Sequence, residues 1–263
     1  MKTSGKQMQM QILPTSTATQ ARVILWQSTQ RPVYKVGMWT ETAWGKCKVT
    51  GRIGQRHADI TESMIFLAEK KRITKDGAIE FLVDPAKVRK SLSDCGYSHA
   101  RLWSHLREIM SAVVEIETRD FRAMGHIIES VVESPFTRLD PLTGGQRHLW
   151  KVKVGDALAM LIENDLHLIY DPAPIARLKN GVSQAVARHI LSHRSEPNGG
   201  WILDNVIKAV AGELSDVSMR HRRREIRIDA ESLAGIGIII DRDRIHHFNP
   251  HRTCSTGPIK LIK

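Results

Sequence analysis

Ser218-Met219-Arg220-His221-Arg222-Arg223-Arg224-Glu225-Ile226-Arg227 is the stretch that decides the fold. On a helix at 100° per residue, Met219, Ile226, Ala230 and Leu233 share one apolar stripe, while Arg220, Arg223, Arg224 and Arg227 occupy an adjoining face. One edge of such a helix packs into a domain while its neighbour presents four guanidinium groups. Only Glu225 interrupts the cations, and like charges at i,i+4 spacing repel, so helix stability alone does not explain the run. Arg222 projects toward the apolar side, where it folds back to a phosphate or to an internal acid, and Ile228 is off the stripe. Guanidinium forks bond guanine edges bidentately or clamp phosphates, which is the chemistry of a helix laid in the major groove.

The flanks give this helix its context. Upstream, Val182–Ser192 reads as a helix, Pro197–Gly200 as a turn, and Trp201–Ala211 as a second helix ending near Gly212. The arginine helix runs from about Val217 to Leu233 and is stopped by Gly235. Gly237–Ile240 is an apolar strand, Asp241–Arg244 a polar tip, and Ile245–Phe248 the returning strand. Three helices followed by a hairpin is the order of a winged helix, whose third helix enters the groove while the hairpin reaches the flank. Ser218 and the five arginines Arg220, Arg222, Arg223, Arg224 and Arg227 are therefore candidate DNA-binding residues, joined by Arg242 and Arg244 at the hairpin tip. Asp241 and Asp243 alternate with that last pair, so a plain turn is the competing reading.

The same order is legible earlier. His57–Lys71 is an amphipathic helix; a turn at Asp76-Gly77 leads to a strand at Ala78–Val83; Asp84-Pro85 caps and starts a helix through Ser93, broken by Gly96. Ser98 then opens a helix with Leu102, Leu106, Ile109 and Val113 on one face, and β-rich segments follow at Val113–Glu117 and Gly125–Glu133. The exposed side of that third helix is expected to show Arg101, Ser104, Arg107 and Glu108, a sparser set, which either contacts DNA lightly or serves protein association. The expected class is thus α+β, two tandem winged-helix domains with a basic N-terminal extension: arm 1–56, first unit 57–146, second unit 147–263. Pro135–Gly145 reads as an exposed loop.

The charge agrees with a polyanionic partner. Across 263 residues, 39 lysines and arginines face 28 acids, a formal net charge of +11. Nine of the cations lie in residues 1–56 against one acid, Glu41. Lys46 and Lys48 are in that set, so the arm either lies along phosphates or is simply a basic tail, with residues 1–20 disordered by composition. Cys47, Cys95 and Cys254 form no CxxC pair, which argues against a disulfide framework and a zinc module and fits a reducing cytoplasm. No apolar run suits a membrane span and no secretory leader is evident, so the expected location is cytoplasmic, without a membrane. No Walker A, GxGxxG, HExxH or GxSxG motif occurs, and the spacing of His246, His247, His251 and Cys254 matches no common zinc pattern. The expectation is a protein that is not an enzyme and uses no metal or cofactor.

From Arg147 to Ile240 the chain resembles the C-terminal part of plasmid replication initiators of the TrfA and IncQ RepC kind. The resemblance is carried in order by Leu149-Trp150-Lys151-Val152, Ala157-Leu158-Ala159-Met160, His167-Leu168-Ile169, Arg177-Leu178, and Ser183-Gln184-Ala185-Val186-Ala187-Arg188-His189-Ile190-Leu191. Leu203-Asp204, Val206-Ile207, Ser218-Met219-Arg220-x-x-Arg223-Arg224 and Leu233-Ala234-Gly235-Ile236-Gly237 complete it. It covers about a third of the chain well, and the first unit resembles the family in layout only. What it implies is binding of double-stranded DNA at direct repeats of an origin, opening of an adjacent stretch, loading of the host helicase with other replication proteins, and a homodimer formed by the first unit that regulates copy number. A transcriptional regulator on an operator is the alternative from the same domains, and a metal-dependent nucleic-acid enzyme is the alternative from another class.

Overall fold

A computed structural model describes residues 13–75, 77–93, 97–140 and 144–248. Gly96, Asp76, residues 1–12, His251 and Cys254 lie outside them. The chain runs β1 (Ser16–Thr17), α1 (Ala18–Arg22), β2 (Trp39–Thr42), β3 (Gly45–Thr50), α2 (Gln55–Phe66), β4 (Lys70–Ile73), β5 (Ile79–Val83), α3 (Pro85–Leu92), α4 (His99–Ser111), β6 (Val113–Glu117), β7 (Arg122–Gly125), β8 (Ile128–Leu139), β9 (Gln146–Val154), α5 (Asp156–Asn164) and β10 (His167–Leu168). It continues α6 (Ala173–Ala176), α7 (Gly181–Leu191), β11 (Trp201–Ile202), α8 (Leu203–Ala211), α9 (Asp216–Ile228), α10 (Ala230–Ala234), β12 (Ile238–Asp241) and β13 (Arg244–His247). The class is mixed α+β, as expected: helices with small antiparallel sheets in the orders β2-β3-β6-β7, β4-β5-β9-β8 and β11-β13-β12, and a β1–β10 pair.

Two apolar cores organise these elements. The first is filled by Ile60, Met64, Phe81, Val88, Leu102, Leu106, Ile109, Trp150 and Val152, and reaches back to Leu25 and Trp26 and forward to Leu158 and Leu161. The second gathers Val182, Val186 and Ile190 of α7, Val206 and Ile207 of α8, Met219 and Ile226 of α9, Leu233, Ile238 and Ile245. Their register follows elementary rules. Asp84 accepts the Ala86 N–H at 2.9 Å ahead of Pro85, a cap that starts α3. Ile238↔His247 and Ile240↔Ile245 set the terminal hairpin so that Ile238 and Ile245 face inward.

The structure corrects several boundaries. The basic extension is no arm over its described part: Thr15, Ser16, Thr17 and Ala18 are buried, β1 pairs with β10, and β3 is an interior strand paired with β6. Composition reads residues 13–20 as disordered because their partners lie some 150 residues away. The helix expected to run to Lys71 ends at Phe66, and Lys70-Lys71-Arg72-Ile73 alternates exposed and half-buried as a strand on β5. Pro135–Leu139 belongs to β8, with a bulge between Glu133 and Thr137 absorbing the proline. The cut expected between 146 and 147 therefore falls within the β8–β9 hairpin, and the cores change over at Ile175–Ala176.

Helix α2 lies between the cores, and ten of its twelve residues are buried. Its Asp59 and Glu62 receive Arg188 of α7: Nη2 reaches Asp59 at 2.7 Å, Nε reaches both Glu62 oxygens at 3.0 Å, and Nη1 donates to Gln55 at 2.7 Å. Gln184 donates to the other Asp59 oxygen at 3.0 Å, and the Tyr170 hydroxyl donates to Glu62 at 2.9 Å. Burial raises the Glu62 pKa and would strip the charge from Arg188, but Glu62 and Asp59 overturn that and raise the arginine's pKa.

Candidate nucleic-acid interface

Helix α9 is built to present one face. Ser215 caps it, its hydroxyl accepting the Ser218 N–H at 3.3 Å, and Asp216 in the first turn complements the positive end. Met219 and Ile226 bury against α7 and α8. The helix stops at Asp229, whose buried carboxylate accepts the Lys179 N–H at 3.0 Å and the Asn180 N–H at 2.9 Å, tying its end to the start of α7. On the far side Arg220, Arg224 and Arg227 are exposed and fall within about 60° of arc. Among the described residues no acid pairs with any of the three; Arg220 alone bonds the chain, through Nε to its own Asp216 carbonyl at 3.4 Å. Val217 and Ile228 flank this row and are 68% and 54% exposed, so the face combines guanidinium with aliphatic surface.

The other two arginines of the run are engaged. Arg222 turns inward, as its helical position requires, and meets an internal acid, Glu225, at 2.9 Å. Arg223 forks onto both carboxylate oxygens of Asp204 at the start of α8, with Nε to Oδ1 at 2.6 Å, and so fixes the α8–α9 crossing. That fork lowers the Asp204 pKa and raises that of Arg223. Arg222 thus takes the internal-acid alternative expected of it, while Arg223, expected on the face of Arg220, Arg224 and Arg227, is held by Asp204. Ser218 is half-buried, and its hydroxyl accepts from Ser215 at 3.0 Å.

At the hairpin tip Arg242 is exposed with φ of 51°, a left-handed turn residue, and Arg244 is half-buried opposite Asp241. Glu196, which the sequence did not single out, holds the returning strand: it accepts His246 Nδ1 at 2.6 Å and the His247 N–H at 2.9 Å. Desolvation opposes its charge, but these bonds prevail and its pKa is lowered.

In the first body α4 carries Arg101, Ser104 and Arg107 exposed, with Arg101 5.2 Å over the Tyr97 ring. Its Glu108 turns inward to His57 Nε2 at 2.7 Å and His105 Nδ1 at 3.2 Å, where three donor atoms converge within 4.8 Å. His57 Nδ1 accepts the Gly54 N–H at 3.0 Å, so its proton sits on Nε2 and is donated to Glu108. A metal would need that nitrogen bare, and the cluster is read as a hydrogen-bonded support for α4. Burial pushes His57 down to about 4. Lys46 and Lys48, expected as phosphate candidates, pair across the sheet with Glu117 at 2.9 Å and Glu115 at 2.5 Å, and both lie over the Trp39 ring, so their charge is met within the fold.

Among the described residues no helix is long and apolar enough to cross a membrane. No protein-family model matches the chain, and no curated protein or solved structure is significantly similar to it.

Proposed function

We propose that this chain binds double-stranded DNA sequence-specifically through two winged-helix units, with α9 as the recognition helix, and acts as a plasmid replication initiator at origin repeats. The observation that carries the DNA reading is the row Arg220, Arg224 and Arg227: three exposed guanidinium groups on one helical face, with no acid among the described residues to neutralise them, flanked by Val217 and Ile228. Arginine forks suit guanine O6 and N7, and aliphatic carbon suits a thymine methyl. The order α7, β11, α8, α9, then β12–β13, with β11 completing the hairpin's sheet, supports the winged-helix assignment of the second unit. The first unit is assigned from α2, α3, α4 and the β8–β9 hairpin. The initiator role, with its helicase, replication-protein and homodimer partners, rests on the quoted resemblance. It is proposed as a binding function in the cytoplasm, with no turnover, metal or cofactor.

Selection from a random duplex pool at about 150 mM salt, where non-specific affinity is suppressed, tests this. Enrichment of one motif, repeated in tandem near the coding gene, is the expected result. A single palindrome would replace the initiator by an operator-binding regulator, and no enrichment would remove the reading.

A further inference from the structure

The two sheets of the first body each bury one face in the same core, and their outer faces differ in charge. Outward on β2-β3-β6-β7 stand Lys46, Lys48 and Arg122 with Glu41, Glu115 and Glu117. Every cation there has a cross-strand acid: Lys46 has Glu117, Lys48 has Glu115, and Arg122 lies 3.7 Å from Glu117 and 4.0 Å from Glu115. On β4-β5-β9-β8, alternation sends Phe81, Val83, Trp150 and Val152 inward. The register then places Arg72, Glu80 and Lys153 in one outer row, and Lys70, Leu82 and Lys151 in the next. Four cations share one acid: Glu80 takes Arg72 at 2.6 Å and Lys151 at 3.8 Å. Lys153 has no ion pair among the described residues, and Lys70 meets only the half-exposed Phe136 ring, 4.7 Å away. Glu129 sits at the bulge between Ile128 and Ser130, outside the paired register.

We propose that the outer face of the β4-β5-β9-β8 sheet is a second DNA-contact surface, which grips phosphates through Lys70, Arg72, Lys151 and Lys153 without reading bases. The inference rests on the reading that duplex DNA is the ligand. Its warrant is the contrast within one body. The fold balances an outer sheet face where nothing demands otherwise, because unpaired like charges on neighbouring strands repel. An unbalanced face of the same build gains when a polyanion supplies the missing charge and releases its counterions. The Lys70–Phe136 contact adds an apolar shoulder beside the cations.

The test uses the full chain and its selected duplex, with affinity followed over a salt series. Each phosphate no longer neutralised lowers the slope of log affinity against log salt by about 0.9, so Lys151→Gln with Lys153→Gln lowers it by about 1.8 and leaves the selected motif unchanged. Lys70→Gln with Arg72→Gln does the same. Lys46→Gln with Lys48→Gln, on the balanced sheet, leaves the slope where it was. Thermal melts check folding, and Lys153→Gln alone, which breaks no ion pair, serves if a double variant does not fold. Sheet variants at the wild-type slope, in a chain that still selects a motif, overturn this surface and leave the α9 reading intact. An equal drop in the Lys46 and Lys48 variant overturns it too, by reducing the effect to net charge. Loss of sedimentation with phosphatidylserine vesicles at an unchanged DNA slope assigns the face to lipid instead. A wild-type chain that binds no duplex removes both readings.

Discussion

Helices α4 and α9 are near twins in build. Each has thirteen residues, and each is opened by a serine whose hydroxyl accepts the backbone N–H three residues on, Ser98 from Arg101 and Ser215 from Ser218. They diverge in what the polar residues do. On α4, His105 and Glu108 turn inward, where Glu108 meets His57 of α2, and the outward set includes Arg101, already over Tyr97, with Ser104 and Arg107. On α9 the inward arginines are satisfied by Glu225 and Asp204 and a full outward row remains. The same scaffold element braces one body and, on the proposed reading, reads DNA in the other, and the difference lies in which side chains have been given partners.

Both helices depend on one frame, and Arg188→Ala is the strongest way to break it. Removing the guanidinium strands Asp59 and Glu62 in a dry junction, a loss of about 3–5 kcal/mol for a buried pair cut on one side. Urea unfolding should show a large fall in midpoint; a shift under about 1 kcal/mol would mean that water reaches the carboxylates.

The next effect sharpens the contrast directly. Arg220→Ala and Arg224→Ala should each cost about 1–3 kcal/mol of affinity for the selected duplex and relax the motif at one position. Arg101→Ala with Arg107→Ala should weaken binding uniformly across sequences and leave the motif intact. Comparable loss of specificity from both helices, measured by competition with scrambled duplex, would erase the distinction between brace and reader.

A smaller effect follows from the brace itself. His57 is held down at about 4 by burial, against an ordinary 6.5. Above pH 6.5 both folded and unfolded chains keep it neutral and its contribution is fully present. As pH falls from 6.5 toward 4 the unfolded chain takes a proton that the native one refuses, and stability drops by roughly 1 kcal/mol per pH unit. The wild type should therefore lose more stability between pH 7 and pH 5 than His57→Gln does. Parallel pH profiles would show that the imidazole is charged in place.

Much of the second body was legible because its signals are local. The 3.6-residue stripe of Met219 and Ile226 and the Ile238–Ile240 run act within a few residues, whereas the helix expected to run to Leu233 breaks at Asp229 and Gly235 closes the separate α10. The partners of the arginines were not legible. Asp204 lies 19 residues before Arg223, and nothing in either neighbourhood marks the fork. Nothing near Arg188 in the sequence marks it as buried, since its acids are 126 and 129 residues upstream. The N-terminal segment failed for the same reason, since Thr17 pairs with His167 and Cys47 with Ile116, partners far along the chain. The first two residues of β4, Lys70 and Lys71, were absorbed into a helix because the strand's four residues are too few to establish a period of their own.

On the proposed DNA reading, the buried Arg188 junction would also govern helical phase. Two DNA-contacting bodies on a flexible tether tolerate variable spacing between their sites, whereas bodies clamped through a shared helix carry a fixed rotational offset to the duplex. Inserting about five base pairs between the two contacted segments turns one of them to the opposite side of the double helix, and about ten restores it. Binding that oscillates with insert length would mark the junction as the protein's ruler, set by one buried guanidinium and two buried carboxylates.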